Sequence, residues 1–533
     1  MLRRSFPALT LTFAAATLAA PAIARADAAA PPAAQPTEAK SSSPSVDVAT
    51  AENAPLAGWH GGVFYMRDPG DNFRLHIQGR AQLDMYNYFG PGITDTALKS
   101  TFFVRRIRPE LTGEIMGKWQ WMLAGDFGAT SNDNPRGTVE TSAAAPGKPP
   151  TDTSGRYNSA QTVGIRALAT DVFLNYHPCA FFNVQLGQYD APFTMENRTS
   201  DKYIQFMERS LAVRALGIPT NKEIGVMLWG ELPNKVFFYS LGAFNGDGQG
   251  RLSPDNRMDA MGRVFFHPLA PGKGALKDLQ IGGSFRFGSR DPNYVNYDYS
   301  AMTTQGNVTF WSPIYGSSRG TTHVLPSGKQ VGVAGELRIP IDIFDLTSEF
   351  VYINNGTRES LEGFQATNAE RYGTMKGYSY YVQLGFWPLG NRDINGAPGY
   401  ENPTHVDLAK ADEAPKTALQ LLAKWEQLSV DYDSASRIGT ADASNIDGKI
   451  KVNAFSLGAN YWVTKHVRLS INYVLNMFPD SAPVKATVKG GTAQTSDQRA
   501  LGPAQGLPAG INDDARDNGH MVHELLLRAA IAL

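Results

Sequence analysis

Residues 73–89, FRLHIQGRAQLDMYNYF, alternate apolar and polar side chains along their whole length. Apolar residues such as Phe73 and Ile77 take the odd positions, and polar residues such as Arg74 and His76 take the even ones. Since successive side chains of a strand point to opposite faces, the stretch predicts one strand with an apolar and a polar face. It is longer than an ordinary globular strand and long enough to cross a bilayer on a tilt.

The alternating pattern recurs along the chain. Sixteen segments show it, at residues 73–89, 101–116, 118–127, 165–177, 181–189, 223–232, 235–245, 258–267, 278–288, 329–339, 343–354, 377–387, 417–431, 449–463, 467–478 and 521–533. An even number of strands allows every strand to pair antiparallel and the sheet to close, as a transmembrane barrel requires. The predicted fold is therefore all-β, a sixteen-stranded antiparallel transmembrane β-barrel.

The connections between these segments alternate in length. Tight turns such as GKWQ, HPCA, LPNK, IPID and VTKH alternate with long polar loops at residues 128–164, 289–328, 355–376 and 479–520. Short turns on one side and long loops on the other are typical of outer-membrane barrels. The segment 388–416 falls on the short side yet is long and rich in proline, so the strand assignment around it stays open.

The first residues predict the compartment. Arg3 and Arg4 precede a short apolar run, and Ala24-Arg25-Ala26 offers small residues for cleavage, which indicates a signal peptide over 1–26. An N-terminal anchor helix is the weaker alternative, because proline and alanine dominate the run. Removing the three arginines leaves 46 Lys and Arg against 50 Asp and Glu, a net charge of about −4, which argues against nucleic acid as a partner.

Residues 27–57 are rich in Ala, Pro and Ser and lack aromatic residues, which predicts a disordered linker. The barrel domain is then predicted over 58–533. The interior of such a barrel is polar, so a hydrophobic content of 42% is compatible with it. The one cysteine, Cys179, excludes an internal disulfide and a cysteine-based zinc site, and we predict it to be an ordinary turn residue.

The second segment carries an arginine pair. By alternation, the residues predicted to face lipid are Phe103, Ile107, Leu111 and Ile115. The residues predicted to face the lumen are Arg106, Arg108, Glu110 and Glu114. By the same parity Arg105 would face lipid, at a cost of about 2–4 kcal/mol at mid-bilayer. We therefore predict that Arg105 lies near a membrane interface or at a subunit contact.

Further polar and charged residues are predicted on the inner face. On the first segment these are Arg74, His76 and Arg80, and on later segments they are Asp171, Asn175, Arg263, Arg286, Arg338, Lys424, Glu426 and Arg468. The predicted lumen is thus mixed in sign.

The stretch 189–217 interrupts the alternation and is rich in charge. Its cations are Arg198, Lys202, Arg209 and Arg214, and its acids are Glu196, Asp201 and Glu208. Charged side chains at a constriction set the selectivity of a pore, so these cations are candidate selectivity residues. The alternative is that Arg209 with Glu208, and Arg198 with Glu196, form ion pairs that hold the loop in place.

Three stretches carry a family resemblance. They are FFVRRIRPELTGEIMGKWQWMLAGDFG at 102–128, DVFLNYHPCAFFNVQLGQYDAPFTMENRTSDKYIQFMERSLAVRALG at 171–217, and KEIGVMLWGELPNKVFFYSLGAFNGDG at 222–248. They resemble the phosphate- and pyrophosphate-selective porin O and P family, and the similarity extends diffusely over 73–533. The resemblance implies a trimeric outer-membrane channel in which a loop folds inward and forms a constriction. The cations of 189–217 would then face Arg106 and Arg108 across a narrow opening. Arg105, Arg106 and Arg209 match the family pattern.

The sequence thus predicts a porin of the bacterial outer membrane for passive diffusion of small anions, with phosphate or polyphosphate as the leading candidates. Arginine suits phosphate because its planar fork donates two parallel hydrogen bonds and stays charged. The predicted selectivity residues are Arg74, Arg80, Arg106, Arg108, Arg198, Lys202, Arg209 and Arg214. The predicted partners are outer-membrane lipid and lipopolysaccharide, small anions, and further copies of the chain in a homotrimer. No catalytic residue, metal ligand or cofactor is predicted.

Three other functions remain open from the sequence. A general or weakly selective porin for other small hydrophilic solutes would need no specific anion site. A barrel-borne outer-membrane hydrolase would need a Ser–His–acid set, which the spacing of the residues does not identify. A secreted β-sandwich binding module would show shorter strands, patterned for two packed sheets.

Overall fold

The computed structural model describes residues 55–60, 63–89, 100–128, 168–232, 235–270, 272, 274–291, 297–311, 313–317, 320–361, 371–395, 416–436, 444–478, 486–488 and 521–533. The signal peptide predicted over 1–26 lies outside them, and so does the linker predicted over 27–57 except for its last three residues. Both therefore stay predictions.

Sixteen antiparallel strands form one closed sheet. They are β1 (Phe73–Phe89), β2 (Thr101–Ile115), β3 (Trp119–Asp126), β4 (Leu168–Cys179), β5 (Phe182–Asp190), β6 (Lys222–Glu231), β7 (Phe237–Phe244), β8 (Asp259–Phe266), β9 (Gln280–Arg290), β10 (Gly320–Ile341), β11 (Phe344–Leu361), β12 (Arg371–Leu389), β13 (Ala418–Ser436), β14 (Ser444–Thr464), β15 (Val467–Met477) and β16 (Met521–Ala532). Each strand pairs with the next, and β16 returns to β1, where Arg528 lies opposite Asp84. The predicted sixteen-stranded barrel is confirmed, and every predicted segment overlaps one strand.

The two faces of the strands differ as the alternation predicts. On β1, Gln82 and Asp84 are buried inside the barrel, whereas Ile77 and Leu83 are 41% and 50% exposed. An apolar outer band and a polar interior are what a barrel in lipid requires. The interior polar groups must then find partners among themselves, in segments that enter the barrel, or in water.

The second strand departs from simple alternation at the arginine pair. A bulge leaves Arg105 without an opposite residue, because Gln82 lies opposite Arg106 and Leu83 lies opposite Val104. The extra residue shifts the parity, so both arginines point inward, 5% and 4% exposed. The prediction that Arg105 lies at a membrane interface or a subunit contact was therefore wrong.

The shift in parity also moves the neighbours of the arginine pair. Phe103, predicted to face lipid, turns inward, and its ring packs against that of Tyr86 with 4.9 Å between centroids. Phe102 and Val104 take the outer face instead and are 69% and 42% exposed. Ile107, beyond the bulge, faces outward as predicted.

Short strands add to the sixteen. They form two hairpins and two single strands, Ala57–His60 with Val63–Arg67, Met302–Thr303 with Thr309–Trp311, Ile314–Ser317, and Ala486–Val488. The first hairpin pairs with β1 around Ile77. The second, which we call the inner hairpin, lies in the segment 289–328 that the sequence predicts as a plain loop.

Helices are few among the described residues. One α-helix, α1 (Leu211–Leu216), and two 3-10 turns, Pro219–Asn221 and Arg392–Asn395, are present. None of the described helices is both long and apolar enough to span a membrane. Strand β12 ends at Leu389 and β13 begins at Ala418, so the connection around 388–416 is long, as the sequence indicates.

Candidate functional site

A loop between β5 and β6 crosses the lumen. This inner loop, residues 191–221, reaches strands far along the chain. The backbone N–H of Met207 donates to the Asn472 side chain at 2.9 Å, and that of Leu211 donates to the Glu426 carboxyl at 2.8 Å. Side chains of β13 and β15 therefore hold the inner loop by hydrogen bonds.

Helix α1 stabilises the end of the inner loop. Ser210 precedes the helix, and its hydroxyl accepts from the backbone N–H of Val213 at 3.4 Å. Serine is a preferred residue at this position because its oxygen satisfies a free N–H of the first turn. The N–H of Ser210 itself donates to the Glu196 carboxyl at 2.9 Å. The two ends of the loop are thereby tied to each other.

The inner hairpin fills a second part of the lumen. Gly306 N–H donates to the Glu524 carboxyl of β16 at 2.9 Å. Arg214 of the inner loop donates to the hydroxyl of Thr303 at 2.6 Å. Two inserted segments therefore narrow the interior, where the sequence predicts one.

A cavity of about 670 Å³ remains beside the inner loop. Ten cationic side chains line it, Arg80, Arg105, Arg106, Arg108, Arg209, Arg214, Lys222, Arg251, Arg286 and Arg290. Eight acids line it as well, Glu110, Asp126, Asp171, Asp190, Asp201, Glu208, Asp247 and Asp298. The lining is mixed in sign with a small excess of positive charge, which favours anions modestly.

Asp201 of the inner loop lies among four arginines. Its carboxyl oxygen is 3.1 Å from Arg106 Nε, outside hydrogen-bond geometry, and 3.0 Å from Arg108 Nη1. The Asp201 carboxyl also pairs with Arg209, and Arg80 Nη2 lies 3.8 Å from one of its oxygens. A carboxylate of the chain thus occupies the position that these guanidinium groups offer to an anion.

Glu208 forms a second centre of ion pairs. Arg105 Nε and Nη2 donate to its two oxygens at 2.9 and 3.1 Å, a two-pronged geometry that is the strongest for this pair. Arg214 and Arg528 donate to it at 3.2 and 2.9 Å. Arg528 also binds Asp84 with two bonds of 2.7 Å, which links the loop to both β1 and β16.

The arginines determine the charge of the loop acids. Burial alone would raise the pKa of Asp201, but Arg106, Arg209 and Arg108 hold it well below its usual value. The pKa of Glu208 is likewise held well below its usual value by Arg105, against the effect of burial. Both acids are therefore ionised at neutral pH and neutralise part of the arginine charge.

Five of the predicted selectivity residues line the cavity, namely Arg80, Arg106, Arg108, Arg209 and Arg214. The other three lie elsewhere in the described structure. Arg74 donates to Asp71 at 2.7 Å, and Lys202 donates to Glu110 at 2.7 Å. Arg198 is buried and donates to a backbone carbonyl.

Ion pairs hold the loop, as the alternative interpretation predicts, but with other partners. Arg209 pairs with Asp201, and Glu208 pairs with Arg105. Of the cavity cations, the selectivity prediction omits Arg105, Lys222, Arg251, Arg286 and Arg290. For Arg105 a signal existed, because a lipid-facing arginine beside a lumen-facing one is costly enough to suggest a bulge.

Most of the barrel matches a known protein family. The family model described as "Phosphate-selective porin O and P" matches residues 75–496. The chain belongs to this family. It is therefore a porin of the outer membrane, and the predicted location and channel class are confirmed. The described residues of this porin contain no group of three or more His, Cys, Asp or Glu suited to a metal ion.

Solved outer-membrane channels also resemble this porin. OmpT of Vibrio cholerae is 10% identical, covering 87% of this chain and 98% of that chain at a TM-score of 0.44. An anion-selective porin from Comamonas acidovorans is 12% identical, and the match covers 86% of this chain and 100% of that chain at a TM-score of 0.42. The channel DcaP of Acinetobacter baumannii is 10% identical, and the match covers 88% of this chain and 99% of that chain at a TM-score of 0.40. The comparison with curated proteins gives no match.

Proposed function

We propose that this porin lets small anions, with phosphate or polyphosphate as the leading candidates, diffuse passively through the cavity. The observation that carries the proposal is the arginine wall, defined as Arg80, Arg105, Arg106 and Arg108 on β1 and β2, which lines the cavity of about 670 Å³. Guanidinium groups stay charged and bind oxyanions through paired hydrogen bonds. Membership of a family described as phosphate-selective supports the choice of phosphate.

The acids of the cavity limit how tightly an anion binds. An oxyanion that approaches Arg106 or Arg108 must compete with Asp201, which already pairs with both. Conduction requires binding that is weak enough to permit exit. We therefore expect anion preference with shallow block by phosphate. The eight acids also support a second candidate, a weakly selective porin for small hydrophilic solutes.

Planar-bilayer recordings test this function. In asymmetric KCl the reversal potential is expected to show anion preference, and added phosphate is expected to reduce the chloride current. Arg106→Gln should lower the anion preference severalfold, and more strongly at low salt, where screening is weak. The matched control is Arg257→Gln, which removes an arginine that is 42% exposed and does not line the cavity.

The outcomes separate the candidates. Cation preference of the unmodified porin would refute the anion proposal. Anion preference without any phosphate block would support the weakly selective porin instead.

Arg74, Arg198 and Lys202 do not line the cavity. They are proposed to act through the ion pairs and hydrogen bonds that position the loop and the strands.

We further propose a homotrimer whose outer face lies in lipid and lipopolysaccharide, with a signal peptide over 1–26 and a linker over 27–57. Family membership supports the trimer, and the exposed apolar residues of the strands support the lipid contact. Cross-linking in isolated outer membranes should give trimers. A monomer alone would contradict this assembly.

A further inference from the structure

The opposite side of the inner loop holds a second, smaller cavity. This back cavity, of about 30 Å³, shares no lining residue with the arginine-lined cavity. Arg338 of β10, Thr347 of β11 and Gln383 of β12 line it from the wall, and loop residues such as Tyr203 and Gln205 line it from the other side. A space of this size holds one or two particles as large as water.

Arg338 is a buried cation that Asp345 attracts electrostatically without forming an ion pair with it. Its side chain belongs to a residue that is only 7% exposed, and its Nε has no hydrogen-bond partner. Within the part of the chain that the structure describes, no carboxylate forms an ion pair with it. The Asp345 carboxyl accepts instead from Trp387 Nε1 at 2.9 Å. A buried charge in this state is strongly unfavourable unless an ion of opposite sign joins it.

The other groups of the back cavity also favour an anion. Arg392 lines the cavity and lies 4.0 Å from Asp278, and Thr347 is a buried residue that brings a hydroxyl. The acid in the lining is Glu196, and one of its carboxyl oxygens accepts from the N–H of Ser210 at 2.9 Å.

We propose that Arg338 binds a small monovalent anion, of the size of chloride, in the back cavity. A space of about 30 Å³ suits an ion of the size of a water molecule better than a tetrahedral oxyanion with four oxygens. The bound ion neutralises Arg338 and lies between the wall and the inner loop. It therefore holds the loop from the side opposite the arginine wall, and it is separate from the arginine-lined cavity.

Thermal unfolding of the full-length mature porin in detergent tests the site. A ligand that binds only the native state raises the Tm. The Tm is expected to be higher in chloride than in gluconate of equal ionic strength. Arg338→Gln should lose this difference, whereas Arg257→Gln, the matched exposed arginine, should keep it. Equal Tm values in the two salts for the unmodified porin would overturn the proposal, and so would a chloride effect that persists in Arg338→Gln.

Crystals exchanged into bromide provide a readout that does not depend on stability. An anomalous peak is expected within hydrogen-bonding distance of the Arg338 guanidinium group, and Thr347→Val should weaken it if Arg338→Gln does not fold. Absence of a peak at Arg338 in the unmodified porin refutes the site. Stabilisation by phosphate in place of chloride would also refute it, because the cavity would then accept a larger ion.

Discussion

The inner loop has buried cations on both of its sides, and the cations of the two sides differ in their partners. On one side, the arginine wall meets Asp201 and Glu208, and each of its four arginines lies within 4.0 Å of at least one of these acids. On the other side, Arg338 has no carboxylate partner among the described residues. The arginine wall and Arg338 both lie on the inner face of the same barrel, and the same loop covers them.

The comparison shows that a count of lumen charges does not reveal which cations a solute can reach. The cations of the arginine wall are numerous, but carboxylates of the loop already bind them. An arginine without an ion pair in a small space can be the stronger site for an ion, because no carboxylate is bonded to it. Selectivity therefore depends on how the loop distributes its acids.

The largest expected effect follows from breaking the Glu208 centre. Glu208→Gln leaves Arg105 and Arg528 buried without their shared carboxylate, so the free energy of unfolding should fall by about 3–5 kcal/mol. Urea unfolding in lipid vesicles measures this. The control Asp71→Asn breaks a partly exposed pair with Arg74 and should cost less than about 1 kcal/mol. A loss for Glu208→Gln as small as the control's would show that the pairs do not anchor the loop.

A smaller effect is expected when the competitor of the solute is removed. Asp201→Asn frees the guanidinium groups of Arg106 and Arg108 for phosphate, and a charged hydrogen bond is worth about 1.5–3 kcal/mol. The phosphate concentration for half block should fall by about tenfold or more. Asp126→Asn is the control. Asp126 forms an ion pair with Arg108 alone, at 2.6 Å, so the half-block concentration should fall less than in Asp201→Asn. Equal block in Asp201→Asn and the unmodified porin would refute the competition.

The two sides of the loop should also respond differently to loss of an arginine. In chloride-free buffer, Arg338→Gln should leave the free energy of unfolding unchanged or raise it by about 1 kcal/mol, because an unpaired buried charge is removed. Arg263→Gln is the matched case with a partner, since Arg263 Nε donates to Glu336 at 2.8 Å. It should destabilise the barrel. If both variants destabilise it equally, Arg338 has a partner after all.

The smallest effect concerns pH. Burial, together with Asp255 and Asp259 and against Arg290 and Arg286, raises the pKa of Asp247 to about 6. Protonation removes a negative charge from the cavity lining, so the anion preference should rise, by about twofold or less, as the pH falls from about 7 to about 5. Reversal potentials measure it.

The control for the pH effect is Asp247→Asn, in which the rise should be reduced because the position is neutral at both pH values. Asp201 cannot produce the rise, because the arginines around it hold its pKa well below its usual value and keep it charged throughout this range. An anion preference that falls on acidification would contradict the assignment.

Much of the barrel could be predicted, because alternation is a local property of each strand. Residues 73–89 show it without interruption, and the strand Phe73–Phe89 is the result. The site was less predictable. Arg106 and Arg108 were placed correctly in the lumen, but Arg105 was not, since the bulge reverses the faces of the residues that precede it, such as Phe103 and Val104.

The sequence alone determined the number, the direction and the two faces of the strands, because period-two patterning and turn length act between near neighbours. Only the tertiary structure decided which charges meet. Asp201 and Arg80, or Glu208 and Arg528, are distant in the chain and come together because the barrel closes and the loop folds inside it. Pairing of buried charges depends on distance in space, which no local pattern records. The state of each arginine, paired or available to an ion, is therefore a property of the closed barrel.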